Sequence, residues 1–384
     1  MDKKYIAVAV VVVLIVAAVG IYAVANHEDD EKKTVSAIAR VNTEGSGIYL
    51  KSTYDVNDFY TTDASGNITL TKEAWDGKVF GTPGTSSIQH VQLTQLVNEM
   101  GLDFKPFNGS KVSGTVYYVD SVSNYDAAIN KLSDTLDGGI LWQPQYAKIV
   151  DDDKYQEFLL TNDLFPGHTC CLIAGYESFM TSNPEVTIAF LAGYTDAVKF
   201  IQNALSNKDS EDYQKLIEIC VKYTSGLNND QIEAALSTIT YTYADDAAGS
   251  LSKLAKDIGE LESDLEDLDA IKKDVTSLGF KDSAEFGNAL VDDSYMKKAL
   301  SGDVQKVENK TVTVAAINGD IHQIGLRVAQ DLGFFENYGL TVVYKGLTNG
   351  GGVATDLLSG NSDFGFLGAP PLTSNVVNGS HIHA

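Results

Sequence analysis

The residues best suited to binding a ligand lie in short loops that follow predicted strands. Residues 318–320, 348–352, 368–371 and 42–46 each come after an apolar segment that reads as a strand. In an open α/β sheet, ligands bind in the crevice beyond the carboxyl ends of the strands. Glycine in such a loop lets backbone N–H groups approach a ligand closely. A glycine-rich connection into a helix with no ligand is the alternative. The candidate ligand-binding residues here are Asn318, Asp320, His322, Asn349, Gly350, Gly351, Gly368, Ala369, Pro370, Asn42, Thr43 and Glu44.

A second set of candidates precedes a predicted helix at residues 88–101. Hydroxyl groups and the amides of a helix N-terminus can hold an anionic or polar group, because that end carries a partial positive charge. A plain helix cap explains Ser86 or Ser87 equally well. An aromatic side chain and an amide at another strand end extend the set. Its members are Thr82, Gly84, Thr85, Ser86, Trp142, Gln143 and His168.

No arrangement in the sequence is typical of a catalytic or metal site. The His/Cys cluster is His168, Cys170 and Cys171, and this spacing matches no zinc-site geometry. A Cys–His nucleophile pair is the catalytic alternative. With three cysteines there is no disulfide framework, although one bridge from the pair to Cys220 stays open. We therefore expect a binding protein without catalytic residues, metal or cofactor.

The charge of the chain excludes nucleic acid as a partner. The net charge is −24 over 384 residues, whereas a phosphate backbone is bound through clustered Lys and Arg. Arginine occurs only at Arg40 and Arg327. Arg40, near the loop at 42–46, is the one plausible cation for an anionic ligand, and an ion pair within the protein is its alternative role.

The order of predicted elements indicates an α/β fold with two lobes. Strands and helices alternate over residues 78–144 and again over 311–384, which predicts mostly parallel sheets covered by helices. From residue 184 the chain is largely helical. Apolar residues between 251 and 278 recur every three or four positions, which predicts one amphipathic helix packed on its own lobe, with a coiled coil as the alternative.

The first residues predict a membrane anchor. An uninterrupted apolar run at 5–25 follows two lysines, and about twenty such residues can cross a bilayer as a helix. We expect residues 1–26 to be the anchor, 27–35 a tether and the body to lie at the extracellular face of the membrane. A cleavable signal segment is the alternative.

The two ends of the chain read as adjacent parts of one lobe. Residues 311–384 describe strand, helix, strand, helix, strand, and the strand that should follow lies near residue 37. We therefore predict a circular permutation in which 36–73, 167–300 and 311–384 build the first lobe, 74–166 builds the second, and 301–310 is a linker. Pairing between two chains, or misplaced gene ends, are alternatives.

Several stretches together resemble one protein family. The segments DLGFFENYGLTVVY, NGGGVATDLLSGNSDFGFLGAPPL, ARVNTEGSG and LWQPQY with FPGHTCCLI are similar to the nitrate/sulfonate/taurine class of ABC-transporter solute-binding proteins. The resemblance implies a type II periplasmic-binding-protein-like fold that closes on a small anionic or zwitterionic solute, or a pyrimidine precursor, and delivers it to a membrane permease. Thiamine-pyrimidine synthases share this fold, so an enzyme of that type is the second hypothesis. A ligand-free surface sensor or structural protein is the third.

Overall fold

The computed structural model describes residues 33–224 and 226–384. The predicted membrane helix at 5–25 and most of the predicted tether lie outside these residues. Within them, no helix combines the length and the apolar character needed to cross a bilayer.

The strands of the described residues form two six-stranded sheets and one two-stranded sheet. They are β1 (Val35–Glu44), β2 (Ser46–Lys51), β3 (Tyr60–Thr62), β4 (Ile68–Leu70), β5 (Val79–Gly81), β6 (Asp103–Pro106), β7 (Thr115–Val119), β8 (Gly138–Trp142), β9 (Tyr155–Leu160), β10 (Thr169–Tyr176), β11 (Ile239–Tyr241), β12 (Lys310–Ile317), β13 (Leu340–Leu347) and β14 (Phe364–Gly368).

Helices cover the faces of the sheets. They are α1 (Lys72–Trp75), α2 (Ile88–Glu99), α3 (Gln145–Val150), α4 (Thr161–Leu164), α5 (Glu177–Ser182), α6 (Pro184–Ser206), α7 (Glu211–Tyr223), α8 (Asn229–Ser237), α9 (Ser252–Asp267), α10 (Ser283–Leu290), α11 (Ser294–Ala299), α12 (Ile324–Asp331), α13 (Phe334–Asn337), α14 (Gly350–Leu358) and α15 (Ala369–Gly379).

Two six-stranded sheets define two lobes. The first has the order β11-β1-β10-β14-β12-β13 and the second the order β6-β7-β5-β8-β2-β9. In the first sheet β12 runs parallel to both β13 and β14, and in the second β5 runs parallel to β7 and β8. The predicted α/β fold with two lobes is present.

Each lobe has its own aromatic core. In the first, Phe190 of α6 stacks between Phe364, with ring centroids 4.2 Å apart, and Phe335, at 5.1 Å. In the second, Trp75 stacks on Phe80 at 4.8 Å. Aromatic side chains bury large apolar areas, so these stacks hold the helices on their sheets.

Two connections join the lobes. The first is Gly45, which separates β1 from β2 and has a φ of +90°. That conformation favours glycine, and a Cβ there would also collide with the ring of His322. The second connection runs from β9 through α4 into β10. The lobes therefore meet at a hinge made of two chain crossings.

The predicted boundary of the first lobe is wrong over residues 46–73. We expected 36–73 in the first lobe, but β2 pairs with β8 and β9 of the second sheet. Phe59, which follows β2, packs against Trp75 in the second core. The chain crosses at Gly45, so the correction follows from where β2 finds its hydrogen-bond partners.

The predicted helix over 251–278 is shorter than expected. The helix α9 ends at Asp267, and Asp269 has a φ of +56°, which a continuing helix does not allow. Ile271 and Val275 are nevertheless buried in the core of the first lobe, together with Leu254 of α9. The apolar spacing therefore indicates burial on the protein's own lobe correctly, but the buried residues belong to α9 and to the segment after it, not to one continuous helix.

The C-terminus of the chain lies beside the start of β1. The N–H of Thr34 donates to the carbonyl oxygen of His381 at 2.9 Å, and the backbones of Lys33 and Ile382 form an isolated antiparallel β-bridge. The strand predicted to follow the tail, near residue 37, pairs with β10 from Val35 to Thr43 and with β11 at its end, so the tail contacts only the start of this strand.

Candidate functional site

A cleft of about 180 Å³ lies between the lobes, at the carboxyl ends of strands from both sheets. Ile317 at the end of β12 and Gly368 at the end of β14 line it from the first lobe, and Trp142 at the end of β8 lines it from the second. The crevice beyond the strand ends is therefore where the sequence predicts it.

The N-terminus of α14 forms part of the wall from the first lobe. Asn349 caps this helix, and its Oδ1 accepts from the N–H of Gly352 at 2.8 Å. Gly350 and Gly351 line the cleft and come directly before Gly352, whose N–H is used by the cap. The first N–H groups of a helix have no partner within the helix, so these two amides are available to a ligand. A Cβ on Gly350 would lie 2.7 Å from Cγ of Pro371, which explains glycine there.

The N-terminus of α2 faces the cleft from the second lobe. The Oγ of Ser87 accepts from the N–H of His90 at 3.2 Å, and the Ser87 hydroxyl donates to the carbonyl oxygen of Gly84 at 2.7 Å. These bonds fix the loop between Pro83 and Ser87 against the helix. Ser86 and the amides of the first turn then line the cleft.

The N-terminus of α15 adds an apolar surface. Pro370 and Pro371 stand in its first turn and both line the cleft. Proline has no N–H, so this helix end offers the positive end of its dipole but few hydrogen-bond donors.

A buried histidine and aspartate lie in the cleft wall of the first lobe. Nδ1 of His322 is 2.9 Å from Oδ1 of Asp320, and Nε2 is 3.0 Å from the carbonyl oxygen of Gly45. Both partners accept hydrogen bonds, so both ring nitrogens donate and the ring is an imidazolium. Burial lowers the pKa of His322, but the negative charges of Cys170 and Asp320 outweigh it and raise the pKa to about 9.

Two cysteine thiols also reach the cleft. Asn42 of β1 pairs with Cys171 and Thr43 pairs with Thr169, so Cys170 is an extra residue in β10. Such a bulge redirects a side chain, and the two sulfur atoms lie 3.8 Å apart. The contact with Cys171 and the charge of His322 lower the pKa of Cys170 to about 7, despite its burial.

Comparison with known proteins identifies the family. A model of the NMT1-like family matches residues 7–218, more than half of the chain. The chain belongs to the NMT1-like family. This match confirms the predicted likeness to solute-binding proteins of the nitrate/sulfonate type, and with it the prediction of a binding protein rather than an enzyme. No curated protein matches the chain significantly.

Two solved structures are similar to this NMT1-like protein. One is the ligand-binding component of an ABC-type import system from Staphylococcus aureus with zinc bound, at 14% identity and a TM-score of 0.44, covering 71% of this chain and 77% of that one. The other is the periplasmic nitrate-binding protein NrtA from Synechocystis PCC 6803, at 14% identity and a TM-score of 0.49, covering 71% of this chain and 68% of that one.

The NMT1-like chain brings ten of the predicted residues together around the cleft. All ten belong to loops at strand ends or to helix N-termini. They are Gly84, Ser86, Trp142, Asp320, His322, Asn349, Gly350, Gly351, Gly368 and Pro370.

The predicted residues at the two chain crossings do not line the cleft. The carboxylate of Glu44 accepts from the N–H of Gly167 at 2.8 Å and from the amide of Asn162 at 3.1 Å. Asn42 is buried, with its side-chain amide directed to the carbonyl oxygen of Glu44 at 3.2 Å. Together with Thr43 in the β1–β11 ladder, these residues hold the hinge.

Other predicted residues in the second lobe turn inward. Thr82 is buried, and its hydroxyl lies 3.0 Å from Nδ1 of His90. The amide of Gln143 donates to Thr238 Oγ1 at 3.2 Å and accepts from the N–H of Ala147 at 3.1 Å. Thr85 lines a separate surface cavity. The hydrogen bonds of Thr82 and Gln143 are therefore used within the protein.

The last three predicted residues border other cavities. Asn318 accepts from the hydroxyl of Tyr344 at 3.0 Å, in a cavity beside α12. His168 and Ala369 line a cavity between α2 and α9. These three residues do not line the cleft, because each lines another cavity instead.

Arg40 has the ion-pair role that the sequence allows, and it is not a cation for the ligand. Nη1 is 2.7 Å from Oδ1 of Asp245 and Nη2 is 3.5 Å from Oδ2 of Asp257. Arg40 is 3% exposed, so the side chain is part of a buried ion-pair network. None of the residues that line the cleft is Lys or Arg.

Sequence reasoning missed eight residues of the cleft. Most are neighbours of predicted ones, and the two cysteines reach it through a bulge that no sequence pattern marks. They are Pro83, Ser87, Ile88, Gln89, Cys170, Cys171, Ile317 and Pro371.

Proposed function

We propose that the protein is the extracytoplasmic solute-binding component of an ABC importer and holds a small anionic or zwitterionic solute in the cleft. One observation carries the proposal: the N-termini of α2 and α14, from different lobes, both line this cleft. A ligand between them contacts both lobes at once.

The chemistry of the lining supports an anionic group on the solute. Among the residues that the structure describes, no lysine or arginine lines the cleft. The negative charge of the solute is therefore met by the amides of Gly350 and Gly351, by the first turn of α2 and by the dipoles of these helices. The imidazolium of His322 is balanced by the negative charges of Asp320 and Cys170, so the attraction for an anionic group comes from the helix N-termini. This balance also suits a zwitterion.

Binding energy in such a site drives closure. A ligand that touches both lobes stabilises the closed form over the open one by its additional contacts there. Gly45 and the β9–β10 connection supply the hinge. In the proposed function, a permease in the membrane recognises the closed shape, and the predicted helix at 5–25 anchors the protein at the outer face.

The contact between the two ends of the chain supports the permutation hypothesis. The hydrogen bond from Thr34 to His381 brings the start of β1 to the end of the segment after α15. A single chain can therefore complete the first lobe as proposed, with 301–310 as the linker between the former ends.

The enzyme hypothesis gains no support from the cleft. Cys170 and Cys171 are its only nucleophiles of the thiol type, and both nitrogens of His322 are engaged by Asp320 and Gly45. A general base for a thiol needs a free ring nitrogen within hydrogen-bond reach.

Isothermal titration calorimetry of the full chain tests the proposal. The panel contains nitrate, taurine, alkanesulfonates and pyrimidine precursors, with quaternary ammonium ions of similar size as the matched cationic control. We expect one solute bound per chain for at least one anionic or zwitterionic member. The absence of binding across the panel, or a preference for the quaternary ammonium ions, contradicts the proposal.

A further inference from the structure

A second cavity of about 350 Å³ lies between α2 of the second lobe and α9 of the first. We call it the interlobe chamber and define it by Gln92, Gln95, His168 and Asp264. Ile88 lines both this chamber and the cleft, so it stands between the two. The chamber is not used by the proposed solute site.

Gln92 is a buried side chain without hydrogen-bond partners in the described part of the chain. It is 2% exposed, and neither its Oε1 nor its Nε2 has a partner. Buried polar groups almost always have at least one partner, so an amide in this state points to a missing ligand. It offers one acceptor and one pair of donors.

His168 presents a bare acceptor to the same chamber. Its Nδ1 lies 2.8 Å from the carbonyl oxygen of Phe165, which can only accept, so Nδ1 carries the hydrogen. Burial lowers the pKa of His168, which keeps the ring neutral. Nε2 is then an acceptor, and within the described residues it has no partner.

Asp264 contributes a carboxylate without a cation. Its Oδ2 accepts from the amide of Gln95 at 2.9 Å, a bond that joins the two lobes. Lys253 and Lys256 also border the chamber, but they pair with Asp257 at 2.7 Å and with Glu260 at 2.9 Å. No lysine, arginine or histidine of the described chain lies within ion-pair distance of Asp264.

We propose that the interlobe chamber binds a small primary ammonium ligand. Three residues that line the chamber carry acceptor atoms, namely His168, Gln92 and Asp264. A group with several N–H donors and one positive charge complements these acceptors. Because Gln92 and Asp264 belong to different lobes, such a ligand bridges them. It therefore acts as an effector that favours the closed form, which goes beyond the proposed solute site.

Thermal unfolding of the full chain tests this proposal. Methylammonium and ethylenediammonium are compared with sodium and tetramethylammonium at equal ionic strength. The tetramethylammonium ion carries the same charge as methylammonium but no N–H donor. We expect the two primary ammonium ions to raise the melting temperature in a saturable way, and the other two ions to leave it unchanged.

The variant Gln92→Leu separates binding from folding. Replacing an unpartnered buried amide with an apolar group of similar size costs little, so the variant without ligand should melt at or above the wild-type temperature. Its response to the primary ammonium ions should disappear. The control Glu99→Gln, at the exposed end of the same helix, should respond like the wild type.

Two results overturn the proposal. One is an equal response to tetramethylammonium and methylammonium, and the other is a full response in Gln92→Leu. Neither result depends on the calorimetric titration with the solute panel. If no solute of the panel binds but the primary ammonium ions still raise the melting temperature, the proposed function alone is contradicted.

Discussion

Gly351 provides a test in which stability and affinity should move in opposite directions. The residue lies in the first turn of α14 and lines the cleft. A Cβ there would have one neighbour within 4 Å, Oδ1 of Asn349 at 3.5 Å, which is ordinary contact. Gly351→Ala is therefore accommodated by the folded chain and adds a methyl group at the cleft wall.

The expected sizes follow from helix propensity and packing. Alanine is favoured over glycine within a helix by about 0.5 to 1 kcal/mol, so Gly351→Ala should be as stable as the wild type or slightly more stable. An extra methyl group in a packed site costs about 1 to 3 kcal/mol. That cost corresponds to a loss of solute affinity of about fivefold to 150-fold.

Gly352→Ala is the matched control for this substitution. A Cβ on Gly352 would also lie 3.5 Å from Oδ1 of Asn349, but the residue does not line the cleft. It should gain similar stability and keep its affinity. Calorimetric titration with the best solute of the panel and thermal unfolding give the two quantities. Equal affinities for both variants would refute the assignment of the α14 N-terminus to the solute site.

Three further predictions concern other groups. The chain has two tryptophans, Trp142, which lines the cleft, and Trp75, which lies in the core. Solute should therefore change the intrinsic fluorescence of Trp75→Phe, which retains Trp142, and should leave that of Trp142→Phe unchanged. The reverse pattern would contradict the site. Arg40→Met should lower the free energy of unfolding by about 3 to 5 kcal/mol, because it leaves Asp245 without a cation and Asp257 with Lys253 alone. Denaturant unfolding measures this loss against the exposed control Lys256→Met. Equal stability of the two variants would show that the pair is weak. The pKa of His322 is raised to about 9. Its contribution of about 3 kcal/mol to the free energy of unfolding is therefore complete below pH ~6.5 and is lost as the pH rises through about 9. The free energies of unfolding of wild type and His322→Gln, measured with denaturant, should converge with rising pH, and a constant difference would contradict the imidazolium.

The sequence predicts the parts of the site that depend on strand order. Parallel strands end at one edge of a sheet, so the loops after β12, β13 and β14 had to meet. The strand order predicts that Asp320, Asn349 and Gly368 lie in one cleft, and all three line it. Helix caps were equally visible, since Asn349 precedes three glycines.

The sequence does not predict which side of a loop a residue occupies. Glu44 and Asp320 both follow strands, but Glu44 is bonded to Asn162 and Gly167 at the hinge. Those partners lie more than a hundred residues away in sequence, and local periodicity carries no information about them.

The boundary between the lobes could not be predicted from the sequence for a related reason. A strand is assigned to a sheet by its partners, and β2 follows β1 after a single glycine. An apolar run interrupted by Gly45 looks like one strand with a turn, whereas the chain passes into the other lobe there. The bulge that brings Cys170 to the cleft likewise depends on the register with β1.

A crystal structure of the full chain with the solute of the panel that binds most tightly would show whether both lobes hold it. We expect solute density between the lobes, with the anionic group within hydrogen-bond distance of the N–H groups of Gly350 and Gly351 and of the first turn of α2. Density in another cavity, or a solute held by one lobe alone, would contradict this expectation.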